Sequence, residues 1–467
     1  MHTRHTHFLY TSIMTPYQRL VLVISILASF LSFIDGSVVN VALPAIVNEL
    51  GGGLSVQQWV TAAYLLTLGS LILIAGSLSD IFGRKRILTW GVIGFGITSM
   101  LCAVSPSADV LIISRALQGV FGALLVPSSL ALIISTFRGS AQGKAIGTWT
   151  AWTGISFLIG PLVGGILVDT LSWRWIFIIN IIPIFVILWL LRKLHSDKPE
   201  EKASVDIGGA LLTTLGLGGI VYALIEQPRI GWHDPAVWLP LSLGVTMMLL
   251  FVWHERRIKQ PMLPMSLFAV RNFSVGNIAT IAIYSGLSVA TFLITIFVQQ
   301  VGGYSALFAG LSLLPITIIM FFLSSKFGEL AGKYGPRLFM SVGPIVAACG
   351  FALFLMVDSR VDYLTQILPG VLVFGFGLSI TVAPLTAAIL NCIEPGRAGI
   401  ASAINNAVSR IAGLVAIAGI ALVTGDLLDV DGFHSGIRLT ILLLVIGGIV
   451  SAIGITNDTL KQRESTT

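Results

Sequence analysis

Fourteen runs of roughly 20 apolar residues, joined by short turns that hold most of the charge, leave this chain little choice of fold. The runs lie near 20–43, 57–79, 87–105, 109–136, 143–168, 175–192, 207–227, 236–254, 273–299, 305–326, 337–357, 363–389, 397–424 and 437–456. In hydrocarbon every backbone N–H and C=O must be paired within its own segment, so runs of this length predict helices. The class expected is an all-α integral membrane protein with fourteen transmembrane helices. Composition agrees: only 10% of the residues are charged, against about 25% in soluble domains.

Charge placement orients the chain. The stretch Gly76–Leu88, GSLSDIFGRKRIL, sets Arg84, Lys85 and Arg86 between two apolar runs. Three consecutive charges are too costly in hydrocarbon, so this stretch is expected to be a tight turn in water, with Gly76 and Gly83 allowing the bend. Short basic loops face the cytoplasm. Assigning loops alternately from the amino terminus puts 21 of the 27 Lys and Arg residues on that side. Arg174, Arg229, Arg360 and Arg438 fall outside, and Arg115 and Arg410 fall within spans. Both termini are then cytoplasmic, in a cell (inner or cytoplasmic) membrane, and the net charge of +6 belongs to loops and not to a nucleic-acid surface. Cys102, Cys349 and Cys392 are too scattered for a disulfide framework or a metal site. Residues 1–19 have no apolar core followed by a cleavage site and read as a cytoplasmic tail.

The chain repeats itself. Residues 20–193 form one six-helix unit and residues 273–456 a second. Gly328–Phe339, GELAGKYGPRLF, stands in the second where Gly76–Leu88 stands in the first. Residues 194–272 add a linker with two extra helices, and 457–467 form a carboxy-terminal tail. Two six-helix units related by an axis along the membrane normal are a transporter arrangement.

Ionisable groups inside spans are expensive and mark function by default. Asp35 lies in the first span and Arg115 in the fourth. At 1.5 Å per residue, Asp35 is roughly 12 Å from the expected end of its span near Leu43, and Arg115 roughly 9 Å from its own near Asp109. The two are expected to meet in the outer half of the membrane, with Gln118 one turn from Arg115 sharing the polar patch. A buried carboxylate suits a group that takes up and releases a proton. The alternative is a permanently ionised Asp35 locked to Arg115. Arg410 lies near mid-membrane, and the second half has no mid-span acid. It is neutralised by Asp35 across a cavity, by water and backbone carbonyls, or by an anionic group on a substrate. Asn40, Asn277, Tyr284, Gln299, Asn405 and Asn406 are candidate cavity groups. Glu226, Trp173 and Trp175 read as interfacial.

The pattern G-x-L-x-D-x-x-G-R-K-x-x-L resembles the signature loop of the major facilitator superfamily, with Asp80, Gly83 and Arg84 at the matching spacing. Twelve spans plus two resemble its fourteen-helix drug:proton antiporter family. Asp35–Pro44 (DGSVVNVALP) resembles that family's first-helix signature, and R-A-L-Q-G-V-F-G-A from Arg115 resembles the fourth-helix motif. Gly154, Gly160, Pro161, Gly164 and Gly165 fit a fifth-helix motif associated with antiporters. Trp173–Pro183, Phe297–Ser305 and Ala309–Pro315 are similar to the family as well. The resemblance implies the major facilitator fold. Asp35 and Arg115 would couple to protons. Asp80, Gly83 and Arg84 would form a cytoplasmic gate joining the halves and favouring an outward-open state.

The function expected is proton-coupled export of hydrophobic or amphipathic compounds by alternating access. The partners are the lipid bilayer, a small-molecule substrate and protons, with no nucleic acid, a functional monomer and an envelope adaptor as a further possibility. No cofactor is expected beyond the proton gradient, no nucleotide-binding loop is present, and no constellation suggests an enzyme. A dedicated exporter of a lipid, metabolite or peptide, or a non-transporting sensor or assembly subunit, are the alternatives.

Overall fold

A computed structural model describes residues 14–195, 205–394, 397–425 and 428–457. The expected tails (1–13 and 458–467) and most of the polar stretch after His195 lie outside the described residues. Among those described, thirteen helices are long and apolar enough to cross a membrane, and a shorter apolar pair, 175–191, fills the sixth place.

The first bundle comprises α1 (Pro16–Leu50), α2 (Gly53–Phe82), α3 (Arg84–Ala103), α4 (Ala108–Thr136), α5 (Gly139–Thr170) and the broken pair α6 (Trp175–Ile178) and α7 (Ile181–Leu191). The extra helices are α8 (Ile207–Ile230) and α9 (Pro235–Glu255). The second bundle begins with α10 (Arg271–Gln300), followed by α11 (Ala306–Ser312), which runs into α12 (Leu314–Tyr334). It ends with α13 (Pro336–Leu353), α14 (Leu368–Asn391), α15 (Ala398–Ala418), α16 (Ala421–Thr424) and α17 (Val430–Gly454). In the first bundle α4 packs on α1, α2 and α3, while in the second α10 and α13 pack on α17 and α14. The α8–α9 pair docks α8 on α2, α15 and α16, so it touches both bundles.

Local chemistry explains the helix ends. Thr15 starts α1 with a reciprocal cap: its Oγ1 accepts from the Gln18 amide at 3.1 Å, and Gln18 Oε1 accepts from the Thr15 amide at 3.0 Å. The expected loop over Gly76–Leu88 is shorter than its composition suggests. Helix α2 continues to Phe82, α3 starts at Arg84, and the whole turn is Gly83 at φ 92°. That left-handed conformation is why glycine stands there. Gly76 is instead an open helical position, with nothing within 4 Å of an added Cβ. The repeat shows at the equivalent turn between α12 and α13, where Gly335 alone takes φ 89°.

Two further boundaries differ from expectation. Helix α1 runs to Leu50, beyond the expected end near Leu43, because its apolar face continues through Ile46. Trp173, expected at the interface, is only 2% exposed, with its indole N–H on Glu49 Oε2 at 2.7 Å. It staples the end of α1 to the segment after α5.

Candidate functional site

The first bundle encloses a polar cluster. Asp35 is 0% exposed and Arg115 1%. Arg115 Nη1 donates to Asp35 Oδ2 at 2.5 Å and to Gln118 Oε1 at 2.6 Å. Gln118 Nε2 donates to Asp35 Oδ1 at 2.9 Å, and Asn180 Nδ2 to the same oxygen at 3.1 Å. Ser99 Oγ receives both amides, at 2.9 Å from Gln118 and 3.3 Å from Asn180. Arg115 Nε caps the Val60 carbonyl at 3.2 Å, and its Cζ lies 4.2 Å from the Tyr64 ring centroid. Tyr64 is anchored in turn, its hydroxyl donating to the Ser32 carbonyl at 3.0 Å.

A buried ion pair survives only when its remaining donors and lone pairs are satisfied. Five elements supply those partners: α1 gives Asp35, α2 Val60 and Tyr64, α3 Ser99, and α4 Arg115 and Gln118. Asn180 comes from the break between α6 and α7. The structure brings Asp35 and Arg115 together, although the depth estimate counted from an end near Leu43 that α1 passes on its way to Leu50. Asn180, Ser99 and Tyr64 carry no role in the sequence reading. An asparagine inside the run WIFIINIIP was the available sign, since it breaks an apolar helix and needs partners.

The candidate cavity residues do not form one cluster. Gln118 is fully enclosed in the acid–base cluster and does not line an opening. Asn277 and Asn405 meet on the α10–α15 seam, where Asn405 Nδ2 donates to Asn277 Oδ1 at 3.2 Å and Thr280 Oγ1 at 2.9 Å. Gln299 folds back on its own helix, donating to the Thr295 carbonyl at 3.0 Å near the end of α10, away from the centre. Tyr284 packs against the second bundle's core. Asn40 Oδ1 is buried without a hydrogen-bond partner. Arg410 lies at mid-span between the bundles, its Nε on Asn406 Oδ1 at 2.8 Å and its Cζ 5.0 Å from the Phe33 ring of α1. Asp35 therefore does not neutralise Arg410.

The fifth-helix motif is a packing surface with two sides. A Cβ on Gly160 would sit 2.0 Å from Ser37 Oγ, and one on Gly164 2.6 Å from Val38, so these glycines let α5 lie on α1. Gly165 faces the Leu307 backbone, and the Pro161 carbonyl faces Gly310, so the same helix closes on α11 of the other bundle. Gly154 has nothing within 4 Å. Asp169, one turn beyond Gly165, accepts from the Ala306 amide at 3.1 Å and the Leu307 amide at 2.8 Å. Near the same end Gln58 Nε2 bridges to the Ile417 and Ala418 carbonyls, at 2.8 and 3.0 Å. The halves are thus joined at the end away from Gly83. At the Gly83 end, Asp80 pairs with Arg84 of its own turn at 3.3 Å. The described contacts of Asp80 stay within its own turn.

Two six-helix bundles, facing along a seam joined at one end and enclosing an acid–base pair in one of them, define a polytopic membrane transporter fold. The chain belongs to the Major Facilitator Superfamily, whose family model matches residues 25–417. It is 36% identical to a puromycin resistance protein of Streptomyces alboniger, over 85% of this chain and 80% of the relative. It is 32% identical to a methylenomycin A resistance protein of Bacillus subtilis, over 91% of each. A multidrug resistance protein of Mycobacterium tuberculosis is 32% identical over 87% of this chain and 75% of its own. Among solved structures, a D-xylose-proton symporter superposes with a TM-score of 0.67 at 16% identity, covering 94% of this chain and 98% of that one. A peptide transporter gives 0.68 at 14%, covering 93% and 94%. At such identity these two speak to the fold alone.

Proposed function

We propose that this protein is a proton-coupled exporter of hydrophobic and amphipathic small molecules, working by alternating access, with its basic loops and both termini in the cytoplasm. The observation that carries the reading is the enclosed Asp35–Arg115 pair. Protonating Asp35 removes the counter-charge of a buried guanidinium, and breaking such a pair costs about 3–5 kcal/mol. Arg115 can recover part of that from Gln118 Oε1 and the Val60 carbonyl, which it already contacts. Those groups sit on α4 and α2, so a proton arriving at Asp35 pulls on both helices. Helix α1 is keyed into α5 through Gly160 and Gly164, and α5 into α11 through Pro161 and Gly165. This chain of contacts links protonation in one bundle to closure between the two. Relatives named for resistance to puromycin, methylenomycin A and multiple drugs support export as the direction and antibiotics as cargo.

The driving force suffices. A proton crossing 100 mV releases about 2.3 kcal/mol, enough for roughly a fortyfold gradient of a neutral solute. Relatives named for a single compound favour a dedicated exporter as the second reading. Purified protein in liposomes holding a pH-sensitive dye tests both. A panel of lipophilic cations, neutral drugs and anions is added to wild type and to Asp35→Asn. Substrate-dependent proton movement that disappears in Asp35→Asn supports antiport through Asp35. Proton movement that persists removes Asp35 as the carrier, and a response to one compound alone favours the dedicated exporter.

A further inference from the structure

The seam between the bundles holds a second ionisable group that the Asp35 cluster does not use. Arg410 rises from the middle of α15 and lies on the opposite half, its Cβ 3.8 Å from where a Cβ on Gly69 of α2 would stand. One of its five N–H donors is taken, by Asn406 Oδ1 at 2.8 Å. Among the described residues no carboxylate pairs with it, because both oxygens of Asp35 serve Arg115, Gln118 and Asn180. Arginine does not shed its charge in a protein, and an unpaired cation at mid-membrane is costly unless water or an anion meets it. Arg410 is also accessible: its side chain is partly exposed, whereas Arg115 is sealed. Phe33 supplies aromatic surface beside the charge, and among the described residues no acid of the second bundle pairs with Arg410.

We infer that Arg410 recognises an anionic group on the cargo, so that this exporter favours amphipathic organic acids, with a sulfonate or carboxylate on an aromatic body, over permanent organic cations. The inference rests on the efflux reading and names the substrate class of the same seam. The guanidinium offers paired donors to the acid's oxygens, while the aromatic body lies along Phe33.

The test uses purified full-length protein in phosphatidylcholine nanodiscs, with empty nanodiscs subtracted. It is titrated with 8-anilinonaphthalene-1-sulfonate and with N-phenyl-1-naphthylamine, the same aromatic body without the acid. The sulfonate is expected to bind wild type about tenfold or more tighter than the amine. Arg410→Gln loses that advantage and keeps amine binding, which also reports that it is folded, while Arg410→Lys recovers part. A measurement on wild type alone guards against misfolding. At matched membrane concentrations, naphthalene-1-sulfonate should displace the amine about tenfold more effectively than 1-naphthyltrimethylammonium. Sulfonate affinity unchanged in Arg410→Gln, or the ammonium ion displacing as well as the naphthalenesulfonate, overturns the inference. Amine binding with no preference for the acid leaves the efflux reading standing and removes this one. Binding of neither naphthyl ligand removes the seam as the cargo site on which both rest.

Discussion

Replacing Gly165 by alanine should open the joined end of the transporter. A Cβ there would lie 2.3 Å from Leu307 Cα, 2.7 Å from its N and 2.9 Å from the Ala306 carbonyl carbon. These are backbone atoms, so no rotamer relieves the clash. Ordinary contact is about 3.5–4.0 Å, and the start of α11 must therefore retreat by about 1.2 Å or more. The Asp169 bonds to the Ala306 and Leu307 amides, now 3.1 and 2.8 Å, would stretch to about 4 Å, which is no longer hydrogen bonding. Asp169 is exposed, so each bond is discounted to about 0.5–1 kcal/mol. Losing both favours the parted state by about 1–2 kcal/mol, a shift of about five- to thirtyfold. Spin labels on Leu171→Cys and Arg360→Cys, with Cys349→Ser, bracket that end from the two bundles. Their distance distribution should gain a longer component in Gly165→Ala. Gly154→Ala, from the same motif but with nothing within 4 Å, is the silent control. A wild-type distribution in Gly165→Ala, or an equal shift in the control, would refute the reasoning.

Three other outcomes follow from the geometry. Asp35→Ala leaves Arg115 buried without a counter-charge and should cost about 3–5 kcal/mol, whereas Asp35→Leu with Arg115→Met should recover most of it. Denaturant melts in detergent decide, and losses that simply add in the double variant would contradict the pairing. Gln58→Leu removes both bonds to the Ile417 and Ala418 carbonyls, at about 0.5–1.5 kcal/mol each, and should lengthen the same spin-label distance severalfold in population. At the start of α8, burial pushes the Asp206 carboxyl up, but hydrogen bonds with the Gly209 amide, His254 and Glu255 outweigh it and hold it below its ordinary value. A folded-state value below the unfolded one gives stability that is present above the unfolded pKa and lost as pH falls through the folded one. Melting temperature should therefore drop below about pH 4, and Asp206→Asn should flatten that acid limb. An identical limb in the variant would show that other carboxylates set it.

What could be read from sequence was whatever is local or periodic. Apolar run length placed the spans, because hydrocarbon imposes one solution on the backbone. An acid and a base buried in separate spans pointed Asp35 and Arg115 to one another, but the depth count itself started from an end near Leu43 that α1 overruns. The partners that complete the cluster were not legible in this way. Tyr64, Ser99 and Asn180 come from three other elements, and an alternating polar–apolar pattern does not mark a residue facing a bundle centre. Gln299 is a case where sequence could not foresee the bond made, since its amide reaches the carbonyl one turn back. Glu226, expected at the interface, takes the Trp59 indole N–H at 2.9 Å, joining α8 to α2. The tie between bundles escaped for the same reason, because Asp169 and α11 are far apart in the chain.

That tie is written into one partner only. Asp169 provides a side chain, but Ala306 and Leu307 answer with main-chain amides, which every residue except proline possesses. The partly exposed Leu307 can therefore change without loosening the closure, while the buried Ala306 must stay small. Position 169 has no such latitude, since aspartate reaches both amides and a longer or uncharged side chain changes the geometry or the strength. Among homologous chains the latch should accordingly look asymmetric, variable at 307, small at 306 and narrow at 169. Lineages could then retune the lip of the pore by mutation while its bolt stays where it is.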